Sequence, residues 1–221
     1  MGLPTKLRRV EPSIPKGTFS IAVLGEAPGQ EEERQGKPFV GPSGALLMRL
    51  FAGVGLQREQ LYITNVCKYR PPNNDIKRLP EIGVYFEDEA SETMEELAAL
   101  QSVNVIVAAG DTALDTLTGL HGISKWRGSV LYCHRLHKKV IPILHPAFLL
   151  RGMWEMWPVT RSDLARVVEE SKTSGPPAKQ PRCFLINPDF TTIITELERM
   201  QSSEYLSFDI EVRHKKIISC V

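Results

Sequence analysis

The sequence predicts an α/β fold, a three-layer α/β/α arrangement with a central, mostly parallel sheet of four strands. Two observations favour this fold. Four apolar runs, at residues 21–24, 61–66, 103–109 and 140–144, have the length and composition of buried strands. Each run ends at a polar or glycine-containing loop, and α/β sheets build their binding sites in the loops beyond the strand ends. We therefore expect the functional residues to follow the strands.

The first run leads into the most informative segment of the chain, residues 25–50, which read GEAPGQEEERQGKPFVGPSGALLMRL. Its first five residues are too rich in Gly and Pro to continue a strand or a helix, and they carry one carboxylate, Glu26. Residues 41–44 then open a helix with apolar residues at positions 46, 47, 50 and 51. Phe39 precedes that helix and lies outside any amphipathic stripe, so its ring can face a planar ligand.

The later apolar runs also end at, or are followed by, polar or glycine residues. The run at 61–66 carries Asn65 near its end and is followed by RPPNN at 70–74. The run at 103–109 precedes Gly110, and the last run precedes HPAFLLR at 145–151. Polar groups thus follow several predicted strands.

These segments resemble the motifs of the family 4 uracil-DNA glycosylases. The first is similar to the family's GE(A/G)PG loop, acidic run and PFVG, the second to its ITN strand and RPP-x-N loop, and the third to its HPA(Y/F)LLR loop. Residues 122–128 also resemble the stretch before the family's last strand. The resemblance covers roughly residues 20–170. It implies the family's fold and its reaction, which is hydrolysis of the N-glycosidic bond of a flipped-out deoxyuridine in DNA.

The resemblance also implies roles for individual residues. Glu26 would orient the attacking water and Phe39 would stack on the uracil. Asn65 would read the edge of the base, because an amide offers both a donor and an acceptor. His145 would donate to uracil O2 as negative charge develops. Three further positions would complete the site, with Asn74 helping to place water or backbone in catalysis and Gly25 and Ala27 beside the uracil.

Each of these positions also has a purely structural interpretation. Phe39 could be a half-buried loop anchor, Asn65 could form a turn at a strand end, and His145 could be structural. The consecutive carboxylates Glu31, Glu32 and Glu33 are expected to form a solvated face, although one of them could share the task of Glu26.

Contacts with DNA are predicted for two groups of residues. The first would enter the duplex and touch phosphate after the last strand, with ordinary packing as the alternative: Pro146, Leu149, Leu150 and Arg151. The second consists of basic residues beside motif loops, for which a solvated face is the alternative: Lys68, Arg70, Lys125 and Arg127.

Charge and composition narrow the function classes only slightly. A net charge of +1 over 221 residues gives no global nucleic-acid signature, so attraction to DNA must come from local patches. No stretch approaches the ~20 apolar residues of a membrane span, and the N-terminus lacks the apolar region of a signal peptide. We expect a cytoplasmic protein that binds uracil-containing DNA and no membrane.

The cysteines bear on a cofactor, because members of the resembled family often bind a [4Fe–4S] cluster. Those relatives carry an N-terminal Cys pair and a Cys directly before RPP, where this chain has Tyr69. The four cysteines, Cys67, Cys133, Cys183 and Cys220, form no C-x-x-C pair, and such a cluster normally needs four thiolates. We predict no cluster, no other cofactor and no metal in this domain.

The C-terminal part is predicted to be a separate element. Residues 171–182, SKTSGPPAKQPR, are polar, basic and rich in Pro and Gly, which predicts a linker after a domain of residues 1–170. Residues 183–221 then contain a strand with Asp209 and Glu211 in a D-x-E pattern. That pattern resembles the first motif of DNA polymerase 3′–5′ exonuclease domains, whose carboxylates hold metal. We expect a truncated, inactive exonuclease start within the N-terminal part of a bacteriophage-type DNA polymerase.

Two other functions are compatible with the same residues. The domain could keep the fold for DNA or partner binding without excision, or it could sense uracil without cleavage and so stall a polymerase. The joint presence of Glu26, Phe39, Asn65 and His145 favours a glycosylase, since a pure scaffold has little need of all four.

Overall fold

The structure, a computed structural model, describes residues 7–177, 185, 187–202, 210–213 and 216–220. The chain forms two compact units, Met1–Ala178 and Lys179–Val221. The predicted metal ligand Asp209 lies outside the described residues, as does Cys183.

The first unit is built on a sheet that has five strands in the described part of the chain: β1 (Ile21–Gly25), β2 (Leu61–Asn65), β3 (Val105–Ala109), β4 (Leu131–Cys133) and β5 (Lys138–Ile143). The strands lie in the order β2-β1-β3-β5-β4. β1 pairs in parallel with β2 and β3, and β3 pairs in parallel with β5. The predicted mostly parallel α/β sheet is confirmed. It has one strand more than predicted, the antiparallel edge strand β4, because three residues, two of them partly exposed, are too few to produce an apolar run.

Helices cover both faces of the sheet. Those described in this unit are α1 (Gln30–Gln35), α2 (Pro42–Ala52), α3 (Phe86–Ala99), α4 (Asp111–Thr118), α5 (Ile123–Trp126), α6 (Pro146–Leu150) and α7 (Trp157–Glu170). Alternate residues of a strand point to opposite faces. Ile21 and Val23 of β1 therefore pack with side chains of α2, α6 and α7, whereas Ala22 and Leu24 pack with those of α3 and α4. Two buried clusters, one on each face, make the three layers.

The parallel register brings the carboxyl ends of the strands to one edge of the sheet. Gly25, which ends β1, is the register partner of Asn65, which ends β2. Ala109 at the end of β3 is the partner of Ile143 at the end of β5. The residues that follow these four strands are therefore neighbours in space although they are far apart in sequence.

The second unit is described only in part. It contains α8 (Phe190–Met200) and an antiparallel pair, β6 (Ile210–Arg213) and β7 (Lys216–Cys220), with Glu211 on β6. Across the described residues, no helix combines the length and the apolar character needed to cross a membrane.

Candidate active site

A cavity of ≈ 510 Å³ opens at the carboxyl edge of the sheet. Its lining includes residues that the sequence singled out, namely Glu26, Ala27, Phe39, Asn65, Asn74, His145 and Arg151. It also includes residues for which no function in the cavity was predicted, among them Glu32, Gly110 and Thr112. The four-strand edge thus gathers into one place the side chains predicted for the site.

Gly25 lies behind the cavity, at a position where there is no room for a side chain. A Cβ at this position would overlap both Asn65 Oδ1 and the ring of Phe39. Only glycine leaves room for the amide and the ring to approach each other across the end of β1. Gly25 therefore shapes the site without contributing a side chain to it.

The backbone of Phe39 is held in an unusual conformation. Its φ of +52° lies in the left-handed region, which costs a non-glycine residue on the order of 1–3 kcal/mol. Arg58 offsets this cost by donating from Nη1 to the Phe39 carbonyl at 2.8 Å and from Nη2 to the Pro38 carbonyl. Gly44, in the first turn of α2, lets the helix pack closely against the Phe39 main chain, because a Cβ at position 44 would overlap the main-chain atoms of Phe39. The ring is consequently fixed as a wall of the cavity, with its centroid 6.4 Å from that of His145.

Glu32 is buried, so the expectation of a solvated face at this position is wrong. Its Oε1 accepts from the N–H groups of Val40 and Gly41 at 2.9 and 2.7 Å, and its Oε2 accepts from Gly29 N–H at 3.1 Å. One carboxylate thereby ties the GEAPG loop to the loop that carries Phe39. The two other carboxylates of the run do lie nearer the surface, where Glu31 pairs with Arg34.

The Glu26 side chain is held from the end of β3. The hydroxyl of Thr112, in the first turn of α4, donates to Glu26 Oε2. The Glu26 main chain is fixed as well, because its carbonyl accepts from Cys67 N–H at 2.9 Å. Sequence reasoning missed Thr112. The available signal was its position just after Gly110, beyond a buried strand, where the other functional residues also lie.

His145 is arranged as a neutral hydrogen-bond donor. Its Nδ1 accepts from Ala147 N–H at 3.2 Å, which leaves the proton of the neutral imidazole on Nε2. Burial lowers the pKa of His145, the Glu26 carboxylate partly offsets this, and Arg151 lowers the pKa further. Gly110, with φ +100°, packs against the ring at a point where a Cβ would come within 3.3 Å of His145 Cβ.

Asn65 is buried at the end of β2 and anchored through its main chain. Its carbonyl accepts from Lys68 Nζ at 2.7 Å and from Thr93 Oγ1 at 3.3 Å. Lys68 is only 1% exposed and forms an ion pair with Glu96 at 2.9 Å. The expected contact of Lys68 with DNA is therefore wrong, because this ammonium group is buried and supports the strand end from inside the protein.

Asn74 and Arg70 lie together at the rim of the cavity. Arg70 Nε donates to Asn74 Oδ1 at 3.0 Å, and Arg70 Nη1 is 3.3 Å from Glu33 Oε2. Asn74 is exposed and its φ of +57° belongs to a tight turn. The pair is thus fixed at the surface, with Asn74 contributing to the lining of the cavity that Glu26 and His145 also line.

Several residues predicted to contact DNA are structural instead. Pro146 is buried at the start of α6, and Leu149 is fully buried in the core beside α2, so neither can enter a duplex. Arg127 is engaged by the buried carboxylate of Asp163, to which it donates through Nε at 2.9 Å and through Nη2. The predictions for Pro146 and Leu149 are wrong, because sequence alone did not reveal which side of the element faces the core. The DNA contact of Arg127, whose side chain is partly exposed, stays a prediction.

The remaining candidates for DNA contact are accessible. Leu150 is 38% exposed, and Arg151 is exposed where it lines the cavity. Lys125 is exposed with its Nζ 5.2 Å from the Trp126 ring centroid. Of these residues, Arg151 is the one among the cavity's lining residues.

The surroundings of Tyr69 and Cys67 do not fit an iron–sulfur cluster. Tyr69 lies under the Arg9 guanidinium, which is 5.8 Å from its ring centroid and also pairs with Glu92. The nearby Cys67 Sγ donates to the Tyr69 carbonyl at 3.3 Å, and burial raises the pKa of the thiol to about 12, which disfavours a ligating thiolate. Within the described residues, no three His, Cys, Asp or Glu side chains are grouped to hold a metal.

We expect the purified protein to be colourless and free of stoichiometric iron, because Tyr69 and a protonated Cys67 supply no cluster ligands. Visible absorbance and iron analysis, run beside a cluster-bearing protein as a positive control, check this. A broad charge-transfer band together with about four irons per chain would contradict it.

Comparisons with known proteins place this chain among the uracil-DNA glycosylases by sequence. The model of the Uracil DNA glycosylase superfamily matches residues 12–165. A type-4 uracil-DNA glycosylase of Thermotoga maritima is 40% identical over 155 residues, which is 67% of this chain and 77% of that protein. A type-4 uracil-DNA glycosylase of Archaeoglobus fulgidus is 39% identical over 146 residues, 63% of this chain and 71% of that protein. The crystal structure of Pedobacter heparinus SMUG2 aligns with a TM-score of 0.47 and 13% identity, over 69% of this chain and 75% of that one.

Proposed function

We propose that this chain, which belongs to the uracil DNA glycosylase superfamily, hydrolyses the N-glycosidic bond of deoxyuridine in DNA. One observation carries the proposal. Glu26, Phe39, Asn65 and His145, which come from three different strand ends and one following loop, line the same cavity. A carboxylate, an aromatic face, an amide and a neutral imidazole donor are the groups that this reaction needs.

The base must leave the stack before it can react. A uracil inside a duplex is inaccessible to side chains, so it is flipped out or taken from a single strand. The cavity of ≈ 510 Å³ accommodates a flipped pyrimidine with its sugar. The Phe39 ring, whose backbone is fixed by Arg58, stacks on the base at no further ordering cost.

Asn65 supplies the recognition of uracil. Its amide can donate to uracil O4 and accept from N3–H, whereas cytosine offers an amine and a lone pair at these positions. The amide belongs to a residue whose carbonyl is held by Lys68 and Thr93. A fixed donor–acceptor pair discriminates between bases because the wrong base leaves buried polar groups unpaired.

His145 and Glu26 act on the two charges that develop. His145 Nε2–H donates to uracil O2 as the departing base becomes negative, and its proton stays on the imidazole because Nδ1 is occupied by Ala147 N–H. Glu26 lies on the sugar side, where it faces the oxocarbenium character of C1′ and orients water.

The reaction balances with water as the only co-reactant. The bond between C1′ and N1 breaks, and its electron pair leaves with the uracil anion. Water oxygen bonds to C1′ while its proton passes to Glu26, and solvent later protonates the released anion. Glu26 then returns its proton to solvent, and an abasic site and free uracil result.

The test uses the full chain and a labelled single strand with one uracil, without added metal. Release of uracil with an alkali-labile abasic site supports the proposal, and a strand with thymine at the same position serves as control. If the protein binds uracil-containing DNA yet leaves it intact for hours, the glycosylase assignment fails. Uracil-selective binding would then favour a sensor, and indifferent binding a scaffold.

Asn65→Asp should weaken uracil excision, because a carboxyl group changes the donor and acceptor pattern that the base meets. One lost buried hydrogen bond costs about 1–3 kcal/mol, or roughly ten- to a hundredfold in rate or affinity. Steady-state excision of uracil, and of cytosine as the newly admitted base, is measured beside Asn187→Asp, the same change at an exposed position in the second unit. Unaltered uracil excision in Asn65→Asp would remove Asn65 from the recognition of the base.

We also propose that the glycosylase unit is the N-terminal part of a DNA polymerase and precedes an exonuclease domain. Support comes from the D-x-E pattern and from the position of Glu211 on β6, in an antiparallel strand pair. Reading the gene in frame past codon 221 tests it. Further acidic exonuclease motifs followed by polymerase motifs are expected, and an immediate stop codon contradicts the proposal.

A further inference from the structure

A hydrogen bond joins two strand ends behind the proposed catalytic carboxylate. Thr112, in the first turn of α4, donates its hydroxyl proton to Glu26 Oε2. No other side-chain hydrogen bond or ion pair to the Glu26 carboxylate occurs within the described residues. Oε1 is therefore left to accept from water in the cavity, which Glu26 and Thr112 both line.

The donor is fixed more firmly than the carboxylate it holds. Asp111 Oδ1 accepts from the N–H groups of Gly122 and Ile123 at 2.7 and 2.9 Å, which anchors the first turn of α4. Gly110 N–H donates to the Ile143 carbonyl at 3.1 Å and ties this turn to β5. Thr112 is also β-branched, so its side chain has few rotamers. Glu26, by contrast, lies in a loop between β1 and α1 and has three rotatable side-chain bonds.

We propose that Thr112 is a positioning residue for the proposed glycosylase reaction and that it acts through Glu26. By holding Oε2, it sets the direction in which the free Oε1 meets the attacking water. Preorganised polar groups accelerate a reaction because they need no reorientation as charge develops. The inference rests on the proposed function, since it concerns the orientation of the carboxylate that activates water.

Thr112→Val tests the hydroxyl at nearly constant shape. Loss of one hydrogen bond to a charged group corresponds to about a ten- to hundredfold fall in kcat. KM for uracil-containing DNA should hardly change, because Thr112 has no predicted contact with the base or with phosphate. Thr112→Ser, which keeps the hydroxyl, should restore most of kcat. Thr118→Val removes a hydroxyl hydrogen bond from the same helix and is the matched control.

A double variant separates positioning from any effect of helix stability. If Thr112 acts through Glu26, Thr112→Val should slow Glu26→Ala much less than it slows the unaltered chain, because the carboxylate is already gone. An equal fall in both backgrounds overturns the inference, as does an unchanged kcat in Thr112→Val while the unaltered chain excises uracil. If the unaltered chain does not excise uracil, the proposed function and this inference both fail.

Discussion

Replacing Glu26 by Gln is expected to slow uracil release by about two or more orders of magnitude, the usual effect of removing one preorganised electrostatic group. Gln preserves the size of the side chain, and its amide oxygen can still accept from Thr112. The substitution therefore removes the negative charge and the proton acceptor while it leaves the anchoring hydrogen bond in place. The attacking water loses its base, and C1′ loses a counter-charge.

The measurement is single-turnover release of uracil from a labelled strand, without added metal and with excess protein. Affinity for the same strand should fall much less than the rate, because contacts with phosphate supply much of the binding energy. Glu31→Gln is the matched control, since it makes the same chemical change in the same segment on a carboxylate that pairs with Arg34 outside the cavity. A Glu26→Gln variant as fast as the unaltered chain would exclude Glu26 as the activator of water.

The position of Glu26 beside Asn65 and His145 could be anticipated for a topological reason. Each follows or ends a buried apolar run, and the carboxyl ends of parallel strands meet at one edge. The register of Gly25 with Asn65 brings the first two together directly. The sheet order, in which β3 lies between β1 and β5, could not be read from the separate runs.

Contacts made by individual side chains were far less predictable than strand positions. Lys68, Arg127 and Leu149 looked available because they lie in or beside motif loops, yet Lys68 and Leu149 are buried and the partly exposed Arg127 is paired with a buried carboxylate. A charge or an apolar group beside a loop gives no information about the direction of its side chain. Direction depends on packing partners such as Glu96 and Asp163, which are distant in sequence.

The groups that support the site were missed for a related reason. Glu32 looked like one of three surface carboxylates, but the turn before α2 directs two main-chain N–H groups at it. Thr112 and Arg58 are ordinary residues in sequence, and they matter because of what they hold, the Glu26 carboxylate and the strained Phe39 backbone. The chemistry of a ligand limits which residue types can contact it, so such residues can be predicted from sequence. Residues that hold those contact residues in place depend only on the fold, and sequence gives little sign of them.

Replacing His145 by Ala is expected to slow uracil release by about two or more orders of magnitude, because the departing anion loses its preorganised hydrogen-bond donor. The pH dependence identifies the form that acts. Burial lowers the pKa of His145 below its ordinary value of 6.5, so the imidazole stays neutral as pH falls through 6.5. If the neutral Nε2–H is the donor, the rate of the unaltered chain should persist through that pH and fall only in more acid solution.

The lowered pKa of His145 should also make the free energy of unfolding depend on pH. The unfolded chain takes up a proton at this His below pH 6.5, whereas the folded chain does so only at lower pH, so the free energy of unfolding decreases as pH falls below that value. His145→Ala should lose this part of the dependence, as judged by denaturant unfolding over a pH series. His134→Ala, at an exposed His outside the cavity, is the matched control for rate and stability. The hypothesis of a neutral His145 donor would be contradicted if the rate halves near pH 6.5 in the unaltered chain and in His134→Ala but not in His145→Ala. That result would mean that His145 is protonated near its ordinary pKa of 6.5.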